Sequence, residues 1–548
     1  MKKTKRIIFS FLITFIVVFI AYYIALPPIN VHSTEFWGFL IFAVVVFGAC
    51  NLLPSVFSKG IGQKAGHTPI TIKGNKFIIG IGIAAIIPIV IIFLGNITSS
   101  TFFNAKAYAS IITVEEAVFD EDMPETDTVS NIALMDSVSA TTIGNRTLGA
   151  LSSVVSQYEV APKYSQINYL GAPQKVANLE YVGFFKWLGN RSNGIPGFVM
   201  VDPVNISADY VDLLKPIKYS ESAYFGEDIL RAVRFKYPTK IFYNFSFEID
   251  EAGNPYYIIA CAKPKIGLFG AFDINEVIIF DPCTGESQIY GVDETPSWID
   301  TVFTGYLASE KYDWYGLYAN GYWNSIIGNK DCKVTTDDFG YIMIKDDVWY
   351  FTGVTSITSD ESNIGFIISN ARTGEYKFYP IIGAEEYSAM RSAEGEVQEK
   401  RYTASFPSLI NISGEATYIM VLKDDAGIVR LYALVNVEQY TIVATGETQE
   451  KAKKAYVQKM MTEGMIEDEP LDDPDLPIVN SVNITVADIR MAVVNGETVV
   501  YITDEKGIVY KEKLSSDESL ILISVGDEIE LYYSDTSIEK IKQIASWK

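Results

Sequence analysis

The phrase YIMIKDD at residues 341–347 returns almost letter for letter as YIMVLKDD at 418–425, and a looser version, FSFEIDE, stands at 245–251. In each, apolar, β-branched and aromatic letters run straight into acids, which reads as a strand entering a turn. Three versions of one phrase in 548 residues point to a repeated structural unit, and a repeat bears on the fold before any single element does.

Each phrase brings neighbours with it. The first copy is FSFEIDEAGNPYYIIACA (245–262) followed by INEVIIFDPCTGESQIY (274–290). The second is YIMIKDDVWYFTGV (341–354) followed by GFIISNARTGEYKFY (365–379). The third is YIMVLKDDAGIVRLYALV (418–435) followed by YTIVATGETQEKAKKAY (440–456). Thr-Gly-Glu recurs at 284–286, 373–375 and 445–447, with Gly supplying the positive φ of a tight turn. Helical patterns lie nearby at 225–238, 297–308, 383–398 and 448–461. The expected fold class is therefore α+β, with a helix plus a four-stranded antiparallel meander built three times, over 225–310, 311–382 and 383–466.

Working outward, 131–224 reads as a first α+β region outside the membrane, behind an acidic, solvated stalk at 97–130. EDEPLDDPDLP (467–477) has linker composition. Beyond it, 478–548 alternates cleanly, with Asn495-Gly496 as a hairpin turn and SIEKIKQIASW (537–547) as a closing helix. That pattern predicts a small C-terminal β-barrel, OB-like in outline. An OB fold that binds nucleic acid needs a basic, aromatic face, and this segment is acidic.

The run Phe280-Asp281-Pro282-Cys283-Thr284-Gly285-Glu286, placed between strands and after a helix, resembles the PepSY domain pattern. Asn370 replaces the Asp in the second copy, and the third lacks it. The resemblance covers roughly 225–460 and implies a cell-envelope setting, with peptidase regulation or protein binding as the role and no catalytic residues to carry over. The chain as a whole resembles membrane-anchored envelope proteins of Gram-positive bacteria.

Three apolar stretches, 6–26, 36–53 and 77–95, have about the length a helix needs to span a bilayer, so 1–96 reads as a three-helix membrane region. Lys2, Lys3, Lys5 and Arg6 precede the first, and Lys59, Lys64, Lys73 and Lys76 lie between the second and third. The positive-inside rule then places the amino terminus and the 54–76 loop in the cytoplasm and 97–548 outside, in a multi-pass plasma-membrane protein. Residues 1–96 carry a formal +7, which leaves −30 of the chain's −23 total on the other 452. A body this acidic repels phosphate backbones, so nucleic acid is not an expected partner.

Chemistry is bounded mostly by exclusion. His32 and His67 are the chain's two histidines, and both lie between membrane stretches, so His-dependent nucleophilic and zinc chemistry is excluded outside. No phosphate-binding glycine loop occurs, and no cofactor is expected. Ser537-x-x-Lys540 matches a Ser-Lys pattern but reads as a helix cap. Asp346, Asp347, Asp424 and Asp425 admit a calcium reading, yet no EF-hand-type loop appears. Cys283 and Cys332 either bridge or remain thiols.

One catalytic route stays open, a carboxylate pair of the glycosidase kind, with Asp300, Asp313 and Asp338 as candidates near Trp298, Trp314, Tyr315, Tyr322 and Trp323. The run KYDWYGLYANGYWNS (311–325) offers Tyr312, Trp314, Tyr315, Tyr318, Tyr322 and Trp323 as a contact surface. Gly316 and Gly321 break regular structure there, so a shaped surface loop is expected, recognising an envelope protein or a glycan; packing between repeats is the competing reading. The function expected from the sequence is a non-catalytic, membrane-anchored binding, scaffold or regulatory protein, and the alternative is a cell-wall glycan hydrolase.

Overall fold

The run Thr417–Leu422 is buried at every residue, which requires a strand covered on both faces. The computed structural model of the chain meets that requirement repeatedly. It describes residues 3–60, 76–126, 129, 132–135, 137–357, 362–466, 480–494, 497–514, 518–534 and 537–543, in two compact units, 1–466 and 467–548.

In the larger unit, four antiparallel meanders follow one another. The first comprises Ser165–Tyr169, Ala172–Tyr181, Ile195–Asp202 and Ser207–Ile217. The second comprises Ile241–Ile249, Pro255–Ile266, Gly270–Phe280 and Ser287–Gly291. The third is Gly340–Ile344, Asp347–Ser356, Gly365–Asn370 and Tyr376–Tyr379. The fourth is Ser408–Ile412, Glu415–Lys423, Val429–Asn436 and Val443–Gly446.

The meanders pack in pairs. Phe198 of the first meets Phe247 of the second at 5.9 Å between ring centroids, inside a core that also holds Trp187, Tyr257 and Ile259. Phe366 of the third meets Tyr418 of the fourth at 5.8 Å, beside Phe351 and Met420. Opposite faces are covered too. Ile299–Leu307 lies on the second meander, the Gly305–Tyr318 helix on the third, and the Gln449–Thr462 helix on the fourth.

This arrangement corrects the alignment of the repeated phrase. YIMI lies in the first strand of the third meander, whereas YIMVLK lies in the second strand of the fourth. Tyr341 is exposed on the first of these strands, whereas YIMVL is buried throughout on the second, so the likeness is one of composition and not of position. The Thr-Gly-Glu motifs divide similarly. Thr284 and Thr373 occupy the turn between third and fourth strands, but Thr445 and Gly446 end a fourth strand, just before the helix capped by Thr448. The fourth meander's equivalent turn residue is Asn436, whose Oδ1 accepts from Gln439 N at 2.7 Å. Region 131–224 contributes a meander of the same kind, and its Asp202-Pro-Val-Asn turn echoes Asp281-Pro-Cys-Thr. Asp202 Oδ1 accepts from Val204 N and Asn205 N, both at 2.9 Å, as Asp281 Oδ1 does from Cys283 N at 2.7 Å.

The stretch 97–130 is not a solvated stalk where it is described. Val114–Glu116 pairs in parallel with Tyr376–Phe378, and Phe119 and Met123 enter the core between the third and fourth meanders. Glu115, Glu116, Asp120, Glu121 and Asp122 are exposed, while Ile112, Phe119 and Met123 are buried.

At the membrane end are α1 (Lys3–Ala25), α2 (Thr34–Gly60), α3 (Lys76–Ser99) and the short α4 (Thr101–Ala109). Among the described residues two segments, Thr34–Asn51 and Ile79–Ser99, are long and apolar enough to cross a membrane, not the three expected. The described apolar part of α1, Ser10–Ala25, is shorter, about 24 Å of helix against the ~30 Å of a bilayer core. It still packs on α2, with Ser10 Oγ donating to Cys50 O at 3.1 Å.

In the smaller unit five strands follow a ring order, Asn480–Val494, Glu497–Asp504, Val509–Lys513, Ser537–Gln543 and Glu528–Ser534, around Val486, Ile502, Tyr510 and Leu531. The seam between the third and fourth is one residue pair, Lys511↔Ser537, so the sheet is a curled half-barrel rather than the fully laddered small barrel expected. The closing helix is corrected as well: 537–543 is a strand, and Ser537 and Lys540 lie on it. A bulge pairs Tyr532 with Lys540 but Tyr533 with Ile538, so a three-residue apolar spacing that reads as helical is accommodated in a ladder. The 467–477 linker and the Asn495-Gly496 turn lie outside the described residues.

Candidate functional site

The Gly305–Tyr318 helix opens at Thr304, whose Oγ1 accepts from Leu307 N at 3.2 Å. Its buried face runs Leu307, Ala308, Lys311, Tyr312, the spacing of one helical stripe, and Lys311 is the charged member. With 5% of its side chain exposed, that ammonium requires a counter-charge. Asp273, on the third strand of the second meander, provides it at 2.7 Å, and Lys265 approaches the other carboxylate oxygen at 3.8 Å. Lys311 Nζ also stands 5.0 Å from the Phe303 ring centre and 5.8 Å from that of Tyr376.

The turn at Thr373-Gly374-Glu375 approaches the same place from the third meander. Asn370 Oδ1 accepts from Arg372 N and Thr373 N, both at 2.9 Å, which folds the turn. Gly374 takes φ +74° with the Phe303 ring 2.9 Å from where a Cβ would stand, so the turn and Phe303 fit only around glycine. Val302 N and Phe303 N both donate to Ala371 O, at 3.0 and 2.8 Å, locking the two segments together.

Between them lies a cleft of about 500 Å³ lined by Ile111, Ile112, Thr113 and Glu115 on one side and by Asp273, Phe303, Lys311 and the 373–376 turn on the other. Glu115, Asp273 and Glu375 set three carboxylates against the Lys311 ammonium, and Lys265 at Asp273 brings the formal charge to −1. Burial, the leading cause, drives the Tyr376 phenol far above its ordinary range, so it stays neutral. The cleft thus joins an acidic rim to an apolar and aromatic wall. Lys311 heads the aromatic run singled out in the sequence, but Glu115 and Asp273 carry no motif that would mark them.

A second polar centre is closed to solvent. Glu248, on the first strand of the second meander, accepts from Asp300 N (2.9 Å), Thr301 N (3.1 Å) and Ser246 Oγ (3.0 Å). Asp300 Oδ2 accepts from Asn168 N of the first meander at 2.7 Å, and Asn168 Nδ2 donates to Asp346 O of the third at 3.0 Å. Burial raises both carboxyls, and the Glu248 charge pushes Asp300 up further. Glu248 and Asp300 are 0% and 2% exposed, so the pair joins three meanders and meets no substrate.

The other hydrolase candidates lie elsewhere. Asp313 accepts from Thr335 N (2.8 Å) and Oγ1 (3.1 Å), with burial raising it to about 6, and Asp338 accepts from Phe339 N at 2.8 Å. The acids of the repeated phrase are engaged locally. Asp347 receives Arg372 through Nε and a terminal nitrogen at 2.9 and 2.8 Å, and Asp424 folds its own turn and holds Arg430. Among the described residues no group of three or more His, Cys, Asp or Glu is placed to hold a metal ion. Cys283 and Cys332 are free thiols, the first donating to Lys215 O at 3.2 Å.

The six-ring contact surface is corrected to three separate environments. Tyr312 is 1% exposed in the core of the third meander, with Tyr315 beside it. Trp314 and Tyr318 pack on Tyr108 at 5.0 and 6.4 Å. Tyr322 and Trp323 meet Phe102 at 5.2 and 5.9 Å, and Trp323 remains 63% exposed. Gly316 does not break the helix; it lets the helix touch the Lys333 backbone. Gly321, at φ +88°, does end it. No protein-family model matches the chain, and no curated protein is similar to it.

Proposed function

We propose that this chain is a membrane-anchored binding protein whose body stands outside the cell, and that the cleft at Lys311 receives a cationic group carried on an apolar stem, such as a lysine or arginine side chain of an envelope protein. The observation that carries this reading is the cleft's composition: Glu115 and Glu375 line it beside Ile111, Ile112, Phe303 and Tyr376, while Asp273 answers Lys311 and Lys265. An ammonium or guanidinium would meet Glu115 and Glu375 at the rim while its methylene stem lies along the apolar wall. The turn resemblance to PepSY domains agrees with a protein-binding role, and so does the use of Asp202, Asp250, Asp281 and Asp424 to fold turns rather than to face a common cavity.

The experiment is binding of a fluorescent tetralysine peptide to the full-length protein in lipid nanodiscs. Binding should saturate and weaken as salt is raised. The double substitution Glu115→Gln, Glu375→Gln should reduce affinity at least about tenfold, as expected for losing two charge-assisted contacts. Equal affinity of wild type and variant would remove the cleft from consideration.

A further inference from the structure

The body is acidic, yet the residues nearest the outer ends of α1 and α3 are basic and apolar. Segments 184–191 and 224–236 hold Lys186, Arg191, Arg231, Arg234 and Lys236 against Glu227 and Asp228, a formal +3. Segments 100–109 and 320–330 hold Lys106 and Lys330 and no acid, a formal +2. Large apolar side chains stand out to solvent in the same segments. Phe185 is 83% exposed and Phe225 57%; Phe103 is 64%, Trp323 63% and Ile327 75%.

Contacts tie both clusters to the membrane helices. Phe235 packs on Tyr22 and Tyr23 in the last turn of α1, at 5.9 and 6.0 Å between ring centroids. The Arg231 guanidinium lies 4.5 Å from the Tyr23 ring centre and donates to Tyr23 O and Phe225 O. Phe225 in turn meets Trp187 at 5.7 Å, and Phe184 joins Trp187 to Phe185. On the other side Phe102, three residues past the end of α3, receives Trp323. The hairpin at Leu268–Phe269 fixes the height between them, both backbone N–H groups donating to Ser99 Oγ at 2.9 and 3.0 Å. These side chains are therefore held at the level where the apolar helices end, and aromatic and basic residues at that level partition into the headgroup boundary.

We propose that the body rests on the membrane through two feet, one formed by Phe185 and Phe225 and the other by Phe103, Trp323 and Ile327, whose side chains enter the lipid surface while Lys186 and Lys236 beside the first and Lys106 and Lys330 beside the second meet anionic headgroups. The occupant of these faces is lipid rather than a protein, because ring contacts join them to the outer end of α1 and to the residues that follow α3. The inference rests on the membrane-anchoring reading above.

The test is tryptophan quenching by brominated acyl chains, with full-length protein in vesicles of phosphatidylcholine and phosphatidylglycerol. Trp323, Trp187 and Trp37, which opens α2, stand at this level, and of the first two Trp323 is 63% exposed and Trp187 1%. Trp323→Phe should therefore lower the quenched signal measurably. In that background Phe185→Trp should restore a quenched component. Resistance of the protein to alkaline extraction monitors anchoring separately. Extraction at high pH would overturn the membrane reading itself. Firm anchoring with quenching unchanged by Trp323→Phe, or with Phe185→Trp unquenched, would overturn the feet alone.

Discussion

Replacing Asp300 by Asn should stabilise the protein near neutral pH, although it removes a buried, hydrogen-bonded carboxyl. Asp300 has one backbone donor, Asn168 N at 2.7 Å, whereas Glu248 has three donors. The pair therefore resolves with the charge on Glu248 and the proton on Asp300. Keeping that proton at pH 7 demands a folded-state pKa about three units above an ordinary carboxyl; at ~1.4 kcal/mol per unit this is roughly 4 kcal/mol. The sign follows from proton counts. Above about pH 4 the unfolded chain releases the Asp300 proton and the folded protein retains it, so wild-type stability falls as pH rises through that window. Asn reproduces the neutral form, keeps an acceptor for Asn168, and has no proton to lose. Thermal unfolding of the full chain in detergent, followed by intrinsic fluorescence from pH 4 to 8, should show D300N melting higher at pH 8, with the difference closing towards pH 4. A variant that melts lower throughout, or by an amount that does not change with pH, would show that Asp300 is held as an anion and that the proton assignment is wrong.

Two further substitutions separate elements that look alike in sequence. Trp314→Ala should cost about 2–4 kcal/mol, because Trp314 packs on Tyr108 against the second meander, whereas Trp323→Ala, on an exposed ring, should stay within ~0.5 kcal/mol; chemical denaturation of the two single variants checks both. Gly374→Ala should cost at least about 1–2 kcal/mol in the same assay, since the new methyl group meets the Phe303 ring in a backbone region that L-residues avoid.

The α+β class, the meander topology of 225–460 and most of its helices were legible because turns and caps are local. Asp281 and Asn370 fold their turns with groups two and three residues away, and Thr448 caps its helix through Lys451 N. Strand identity was not local. Tyr341 is 39% exposed on the first strand of the third meander, and Tyr418 is fully buried in the second strand of the fourth. Nothing in the letters around each states which partner strand covers it. The first meander carries no such signal for the converse reason: its turn reads Asp202-Pro-Val-Asn without a Thr-Gly-Glu, though its aspartate makes the same bonds.

The candidate cleft was illegible for a deeper reason. Its residues come from Glu115 on an edge strand, Asp273 on the second meander, Lys311 on a helix and Thr373–Glu375 on the third meander, a span of 260 positions in sequence. Only Lys311 lies in a stretch that the sequence singles out, and there the glycines suggest a surface loop; the structure makes it a charge on the apolar stripe of a helix. Such a residue must be neutralised by something distant, so it is a pointer to an interface even when its partner is unknown. Here the partner, Asp273, belongs to another sheet, and the cleft opens where the two sheets and the helix fail to close completely over the pair. The aromatic run pointed the other way. Six rings within twelve residues suggest one surface, but a helix distributes consecutive positions around its axis, so Tyr312 enters the core, Trp314 and Tyr318 pack against Tyr108, and Trp323, past the break at Gly321, meets Phe102 just beyond α3. Had the run been strand or loop, the rings could have shared a face. The deciding fact was the helical phase fixed by Thr304, seven residues before the first charged residue of the stripe.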